Sequence, residues 1–403
     1  MPSCEYGGEP VRHTHRRGGV AVLAVGLALV VAVGSAVGRE SQSGPIKIGL
    51  VSSLSGPAGL YGRPVADSAQ LAIEEINAKG GVLGRKLALE VEDDASVPAT
   101  GRLVAQRLIT KDRVDALIAM TNSAVREAFT PVVKRDGLPF VYVTLYEGGA
   151  CLKNMFSIGE VPPQYNPVYR HVVGSIGKKS WYLIGHDYVW PQKVLPAARQ
   201  AVRKAGGTVV GQDLVPFGTT DFAQIIDKIQ ASDADTVLVA LVGADFGSFL
   251  KQWRSFGLNR STIMVTLTMT DDFMQALGAD AKGVYSIFGY FEDLKTTTNR
   301  RFVSKYHKRF PKAFAQNTLS EGTYDAVYAY ARAVANAGTT DSAKVNAALA
   351  GVTFPSAPRG ALTIQRSTHH VNQTMYLVRA NGKGNYVLAK KFPNISPGPQ
   401  CRF

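Results

Sequence analysis

The stretch Ile46-Lys-Ile-Gly-Leu-Val51, followed after a short Ser/Gly/Pro segment by Val65-Ala-Asp-Ser-Ala-Gln-Leu-Ala-Ile-Glu-Glu-Ile-Asn-Ala-Lys79 and Gly80-Gly81, decides the fold. Its first part is a short β-branched run, the signature of a strand. In the second, Val65, Ala69, Ala72, Ile73 and Ile76 recur every three to four residues, so one face of a helix is apolar. The glycine pair closes that helix, because a left-handed residue just past the last turn satisfies its orphan carbonyls without a Cβ penalty.

The same unit recurs along the chain. Residues 86–91, 116–120 and 139–144 read as strands, and 99–110 and 124–135 as helices, which is βαβ winding around a parallel sheet. An irregular stretch over 146–167, rich in Gly, Pro and polar residues, interrupts the rhythm. It resumes with strands at 181–185, 208–215, 236–242 and 262–267 and helices near 192–205, 221–231 and 246–256. The uninterrupted run Thr236-Val-Leu-Val-Ala-Leu-Val242 suits a strand covered by helices on both faces. The fold class is therefore α/β, with two doubly wound parallel-sheet lobes. Such sheets bind ligands beyond the carboxyl ends of their strands, so the loops after the strands are where a site belongs.

Composition narrows the classes. The 403 residues carry 45 Lys+Arg against 31 Asp+Glu, a net charge of +14, with 40 Gly, 20 Pro and only three Cys. That excludes a disulfide scaffold, a Cys-rich zinc array and an iron–sulfur protein, and the length allows about two domains. Without residues 1–38 the balance is 42 basic against 29 acidic residues, so the excess belongs to the folded body. The cations are scattered as singles and pairs such as Lys178-Lys179, Arg300-Arg301 and Lys390-Lys391, with no run of a nucleic-acid arm.

The N-terminus reads as an export signal. Arg16-Arg17 precedes an apolar or small run from Val20 to Gly38, and polar Arg39-Glu40-Ser41 follows. Cleavage after Ala36 or Gly38 is sterically plausible, and the run is just long enough to serve as an uncleaved anchor instead. The arginine pair permits a twin-arginine route but lacks its surrounding consensus. Cys4 precedes the run, so a lipoprotein anchor is not indicated. Cys151 and Cys401 remain in the exported chain, an even pair in a compartment where disulfides persist, and a bridge between them is the hypothesis.

Enzyme motifs fail on inspection. Gly174-Ser-Ile-Gly177-Lys-Lys-Ser180 has Val172 where a phosphate loop needs glycine, and no Gly-x-Ser-x-Gly, His-Glu-x-x-His or Cys-x-x-Cys occurs. The pair His369-His370 points to opposite faces of a strand and reads as a surface feature rather than a metal site. Of the acidic pairs Asp93-Asp94, Asp271-Asp272 and Glu292-Asp293, only Asp271-Asp272 follows the right end of a strand. No cofactor, metal or catalytic residue is expected.

The chain resembles the type I periplasmic substrate-binding proteins, in the branch serving branched-chain amino acid, urea and short-chain amide transporters. The residues that carry the resemblance are Ile46-Lys-Ile-Gly-Leu-Val-Ser-Ser-Leu-Ser55-Gly-Pro57, Tyr61-Gly62, Ala72-Ile-Glu-Glu-Ile-Asn77, Tyr146-Glu147-Gly148-Gly149, His186-Asp187-Tyr188-Val189-Trp190-Pro191, Gly218-Thr-Thr-Asp221-Phe222 and Tyr290-Phe291. They span about residues 45–390. The Tyr-Glu-Gly and Asp-Tyr-Val-Trp-Pro segments look most like the amide and urea group.

The resemblance implies a Venus-flytrap with three crossovers, near residues 157, 288 and 353. Lobe one would take 45–156 and 289–352, lobe two 157–288 and 353–395, and 396–403 a tail. It further implies first-lobe ligand contacts at Thr121, Asn122, Ser123, Tyr142 and Thr144. Second-lobe contacts would come from Tyr188, Trp190, the 243–246 loop with Asp245, and the 268–272 segment with Thr268, Asp271 and Asp272. Hydroxyls and helix-start N–H groups at Ser123 and Thr144 can hold a carboxylate or an amide oxygen without a basic side chain. Tyr188 and Trp190 offer flat bodies with one polar tip to cover a ligand, or pack between the lobes. The three acids would suit an α-amino group, whereas a urea or amide needs only neutral acceptors. Several amide-binding relatives carry an aromatic where this chain has Thr121, which predicts a wider or more polar pocket.

The expected protein is thus an exported, monomeric solute-binding protein that captures a small polar nitrogen compound, an amino acid, urea or amide, and delivers it to an ABC permease in the membrane. It performs no chemistry and binds no nucleic acid. The alternative is a membrane-tethered sensor that uses the same cleft.

Overall fold

The computed structural model describes residues 44–401 and 403, and the export signal expected within 1–38 lies outside the described residues. In chain order the elements begin β1 Ile46–Ser52, α1 Gly62–Ala78, β2 Leu87–Asp93, α2 Pro98–Thr110, β3 Ala116–Met120, α3 Ser123–Asp136, β4 Phe140–Tyr142 and β5 Met155–Ser157. They continue α4 Pro162–Gly174, β6 Ser180–His186, α5 Val189–Lys204, β7 Thr208–Val215, α6 Ala223–Ala231, β8 Thr236–Ala240, α7 Ala244–Ser255, β9 Ile263–Thr266, α8 Asp271–Leu277 and β10 Tyr285–Phe288. The last third holds α9 Thr297–Arg309, α10 Thr318–Ala337, α11 Ser342–Leu349, β11 Thr353–Phe354, β12 Leu362–Thr363, β13 Gln373–Ala380 and β14 Tyr386–Ile395.

Two sheets organise the molecule. The first has the order β2-β1-β3-β4-β5, parallel throughout. The second runs β14-β13-β10-β9-β8-β6-β7, parallel from β10 to β7. The central strands are buried on both faces, β3 and β8 at every residue, as parallel sheets under helices require. Gly49 in β1 marks one close approach, since a Cβ there would meet the Leu108, Val114 and Leu117 side chains at 3.2–3.3 Å.

The structure adds what the reading of the sequence lacked. β13 and β14 form an antiparallel ribbon on the edge of the second sheet, β13 pairing antiparallel with β10. The irregular 146–167 stretch contains β5 and the start of α4. Helix α10 lies along α1 and against β3. The join between α1 and the later helices is polar as well as apolar: Lys305 and Arg309 pair with Glu75 and Glu74, and the Tyr324 and Tyr328 hydroxyls donate to Glu75.

Where the chain passes between the sheets, buried polar groups interlock. Glu160 Oε1 accepts from Gly289 N and Thr318 Oγ1, both at 2.7 Å. Arg359 donates to Glu321 at 2.6 Å, to Gln373 at 2.9 Å and to the Thr318 carbonyl at 3.1 Å, while Gln373 donates to Gln164. Arg359 and Glu321 are almost wholly buried, so removing either would strand a charge at a cost of about 3–5 kcal/mol.

His369 and His370 depart from the surface role expected of them. Both are buried, because His369 stacks between Phe156 and Phe403 at 4.4 and 4.1 Å and His370 bonds to the Tyr146 hydroxyl. Burial pushes the His370 imidazole down to about 4, so it is neutral at pH 7. Beside them a Cys151–Cys401 disulfide, Cα–Cα 5.5 Å, ties the C-terminal tail to the loop between β4 and β5. Gln400 Oε1 accepts from Gly149 N on the same loop. Among the described residues, no helix is long and apolar enough to cross a membrane.

Candidate ligand-binding cleft

The carboxyl ends of both sheets face one another around a cavity of about 50 Å³, several times the 10–15 Å³ that one water needs. From the first sheet come Ala58 and Tyr61 after β1, Met120 to Ser123 at the end of β3, and Thr144 with Leu145 after β4. The second contributes Tyr188 and Trp190 after β6, Val242 after β8, Thr268 and Thr270 after β9, and Phe288 of β10. Leu319 of α10 completes the wall.

Thr121, Asn122 and Ser123 form the turn from β3 into α3. The Asn122 side chain accepts from Val125 N and caps the helix, leaving the N–H groups of Ser123 and Ala124 as helix-start donors without intrahelical acceptors. The Thr121 peptide is pinned from both sides: its N–H donates to Thr144 Oγ1 at 3.0 Å, and its carbonyl accepts from the Tyr142 hydroxyl at 2.7 Å. The Ser123 hydroxyl donates to Glu147 Oε2 at 2.6 Å, and Glu147 Oε1 accepts from Arg126 at 2.7 Å. Arg126 in turn lies over the Tyr142 and Tyr146 rings, 5.4 and 5.0 Å from their centroids.

Three buried polar atoms of cavity-lining residues, Thr121 Oγ1, Thr270 Oγ1 and Trp190 Nε1, have no partner within hydrogen-bond distance, though the Asp94 and Asp272 carboxyls lie near the first two. They come from both lobes, Thr121 from the first and Thr270 and Trp190 from the second, and are groups that a ligand between the lobes could satisfy. The lobes also touch directly. Tyr61 Oη donates to the Thr268 carbonyl at 3.0 Å, α3 meets α5, and Gly243 packs so closely on Pro57 that a Cβ would sit 2.2 Å from its carbonyl oxygen. Tyr188 is supported from behind by Phe217 at 5.1 Å and Trp190 at 6.4 Å.

Of the residues expected at the ligand, Thr121, Asn122, Ser123, Thr144, Tyr188, Trp190 and Thr268 line the cavity, and Tyr142, Asp245, Asp271 and Asp272 do not. Tyr142 is fully buried behind Thr121, where burial pushes its hydroxyl up to about 12. Asp245 turns inward to accept from Gly218 N at 2.7 Å and from His186 Nε2 at 2.9 Å. His186 Nδ1 accepts from Val242 N, which leaves the ring proton on Nε2. Asp271 accepts from Glu292 N, and burial raises its carboxyl well above the usual range. Asp272 is raised to about 6, chiefly by burial and partly offset by its proximity to Thr270. Tyr61, Phe288 and Leu319 were not anticipated: an apolar or aromatic residue in a loop, on a buried strand or on a buried helix carries no chemical mark. Among the described residues no cluster of three or more His, Cys, Asp or Glu side chains is placed to hold a metal ion.

Two wound lobes whose strand ends enclose a cavity with polar groups from both sides define a solute-binding protein. The chain belongs to the periplasmic binding protein family, matched over residues 45–385, in its leucine-binding-protein-like branch. It is 27% identical over 356 residues to Leu/Ile/Val-binding protein homolog 6 of Brucella abortus, covering 86% of this chain and 90% of that one. An amino acid binding protein of Pseudomonas aeruginosa is 26% identical, covering 78% and 85%. Among solved structures, an ABC-transporter solute-binding protein of Rhodopseudomonas palustris in complex with benzoate superposes with TM-score 0.80 at 21% identity, covering 89% of this chain and 99% of that one. LivJ of Streptococcus pneumoniae in complex with isoleucine gives 0.75 at 22% identity, covering 87% and 99%.

Proposed function

We propose that the protein is the extracytoplasmic receptor of an ABC importer and that it captures a small amide by closure of its two lobes. One observation carries the choice of ligand: the cavity wall holds hydroxyls, rings and helix-start N–H groups but no Asp, Glu, Lys, Arg or His side chain. The ammonium of an amino acid buried there would face no carboxylate, and an unpaired buried charge is far more costly than an unpaired neutral group. A primary amide asks only for neutral donors and acceptors, and its apolar part fits among Tyr61, Tyr188, Trp190 and Phe288. Closure supplies the coupling, because the ligand gains contacts to the second lobe only when the cleft shuts.

A second reading, an aromatic carboxylic acid, is favoured by the four rings and by the relatives seen with benzoates. Calorimetry of residues 39–403 with acetamide, isobutyramide, benzamide, urea, benzoate, leucine and isoleucine separates these readings. Amides binding at least about tenfold tighter than leucine, a difference of about 1.4 kcal/mol, is the expected result. Leucine or isoleucine binding tighter than every amide would overturn it, and benzoate heading the series would establish the second reading.

A further inference from the structure

Resting on that reading, we infer that Glu147, held by Arg126, makes Ser123 a pure hydrogen-bond acceptor toward the cavity, so that the site selects a primary amide over the carboxylate of the same shape.

A serine hydroxyl has one proton and two lone pairs. Ser123 spends its proton on Glu147 Oε2 at 2.6 Å, the short, charge-assisted kind of bond that outcompetes a neutral acceptor. A carboxylate has no proton to give back, and Arg126 pairs its other oxygen at 2.7 Å, with both side chains nearly fully buried. Arg126 Nη1 approaches Ser123 Oγ at 3.5 Å and engages at most one lone pair. What Ser123 has left for the cavity it lines is acceptor capacity.

The neighbouring groups have the opposite polarity. Thr144 Oγ1 already accepts from Thr121 N and keeps its own proton to give, to the cavity or to the Tyr142 oxygen beside it, and the first N–H groups of α3 are donors. Toward the cavity, therefore, Ser123 presents a fixed acceptor beside these donors, while the unpartnered Thr121 and Thr270 hydroxyls can turn either way. A primary amide matches it, its carbonyl taking the donors and its NH₂ giving a proton to Ser123. A carboxylate brings a second oxygen against the Ser123 lone pair, with no proton to place between them. Glu147 and Arg126 act only through Ser123 and are positioning residues.

The test uses two matched pairs, benzamide with benzoate and isobutyramide with isobutyrate, titrated calorimetrically into wild type, Ser123→Ala, Glu147→Gln and the double variant. The amide should bind about tenfold tighter than its acid in wild type, and Ser123→Ala should weaken the amide about fivefold while moving the acid less than about twofold. In Glu147→Gln the new side-chain N–H can donate to Ser123 Oγ, which frees the serine proton for the cavity and shifts the ratio about tenfold toward the acid. Because the ratio is taken within one preparation, partial loss of folded protein does not move it. In the Ser123→Ala background, Glu147→Gln should leave the ratio unchanged. A shift that persists there means that the uncompensated Arg126 charge sets selectivity, and the inference falls. It falls equally if wild type prefers the acid, or if the ratio is the same in all four proteins. Should neither member of either pair bind at millimolar concentration, the amide reading itself fails, an outcome distinct from a measured but unaltered ratio.

Discussion

Gly243→Ala isolates the closed state. Gly243 follows β8 with φ 67° and ψ −141°, and an added Cβ would lie 2.2 Å from the Pro57 carbonyl oxygen. Pro57 belongs to the loop after β1 on the opposite lobe, so the clash arises only when the lobes meet. Carbon–oxygen contact needs roughly 3.4 Å, so the two surfaces must part by about 1 Å or the loop must yield. The loop is held: Leu54 N and Ser55 N donate to Asp93 Oδ1, and Ala58 N donates to Ser96 Oγ. Overpacking of this kind costs about 2 kcal/mol, and since it burdens the closed state alone it should weaken ligand binding about thirtyfold. The strained φ costs a further 1 kcal/mol or so in both states and lowers the melting point of the ligand-free protein by a few degrees. Gly206→Ala is the control, with φ 87° and nothing within 4 Å of its Cβ; it should lose stability and keep its affinity. Calorimetry with the tightest amide of the panel, beside melts of the free proteins, reads both effects. An affinity within threefold of wild type in a folded Gly243→Ala protein would refute the claim that this contact belongs to the ligand-bound form.

Tyr61→Phe removes the 3.0 Å bond to the Thr268 carbonyl and should weaken binding about fivefold, near 1 kcal/mol, without changing the melt of the free protein; less than a twofold effect in calorimetry would show that the bond contributes nothing to closure. Asp272, raised to about 6 by burial, gives stability that is complete below its unfolded value near 3.9 and is lost as pH rises through 6. Asp272→Asn should therefore gain on wild type in melts between pH 5 and pH 8, and parallel pH profiles would contradict this. Replacing Cys151 and Cys401 together with alanine opens a loop of 250 residues and should cost up to about 5 kcal/mol in urea unfolding, whereas an unchanged midpoint would show that the crosslink does not stabilise the fold.

The wound part of the fold was legible because its strands are continuous apolar runs and its helices keep one dry face. The last third was not, for physical reasons. Helix α10 is buried at nearly every residue from Thr318 to Val334, so it lacks the polar stripe that marks a helix in sequence. Strand β14 is almost wholly exposed and its pairing with β13 is interrupted by register shifts, so no clean alternation appears. In the cleft, strand-end hydroxyls were found because the fold class says where to look. Asp245 misled because its charge is visible in sequence, while the His186 and Gly218 partners that turn it inward come from β6 and from the loop after β7. Glu147 was noticed only as part of a Tyr-Glu-Gly string; its bond to Ser123 joins the start of α3 to a loop 24 residues further on.

The Cys151–Cys401 bond has a consequence for biogenesis. Cys401 lies 250 residues after Cys151, so in a chain made from its N-terminus the bond can form only after all of the intervening fold has been made. The loop that carries Cys151 and adjoins Glu147 therefore waits for the segment around Cys401 before it is locked. Oxidation is thus a late covalent step of maturation, and a cut between β14 and Cys401 would release that loop from its crosslink.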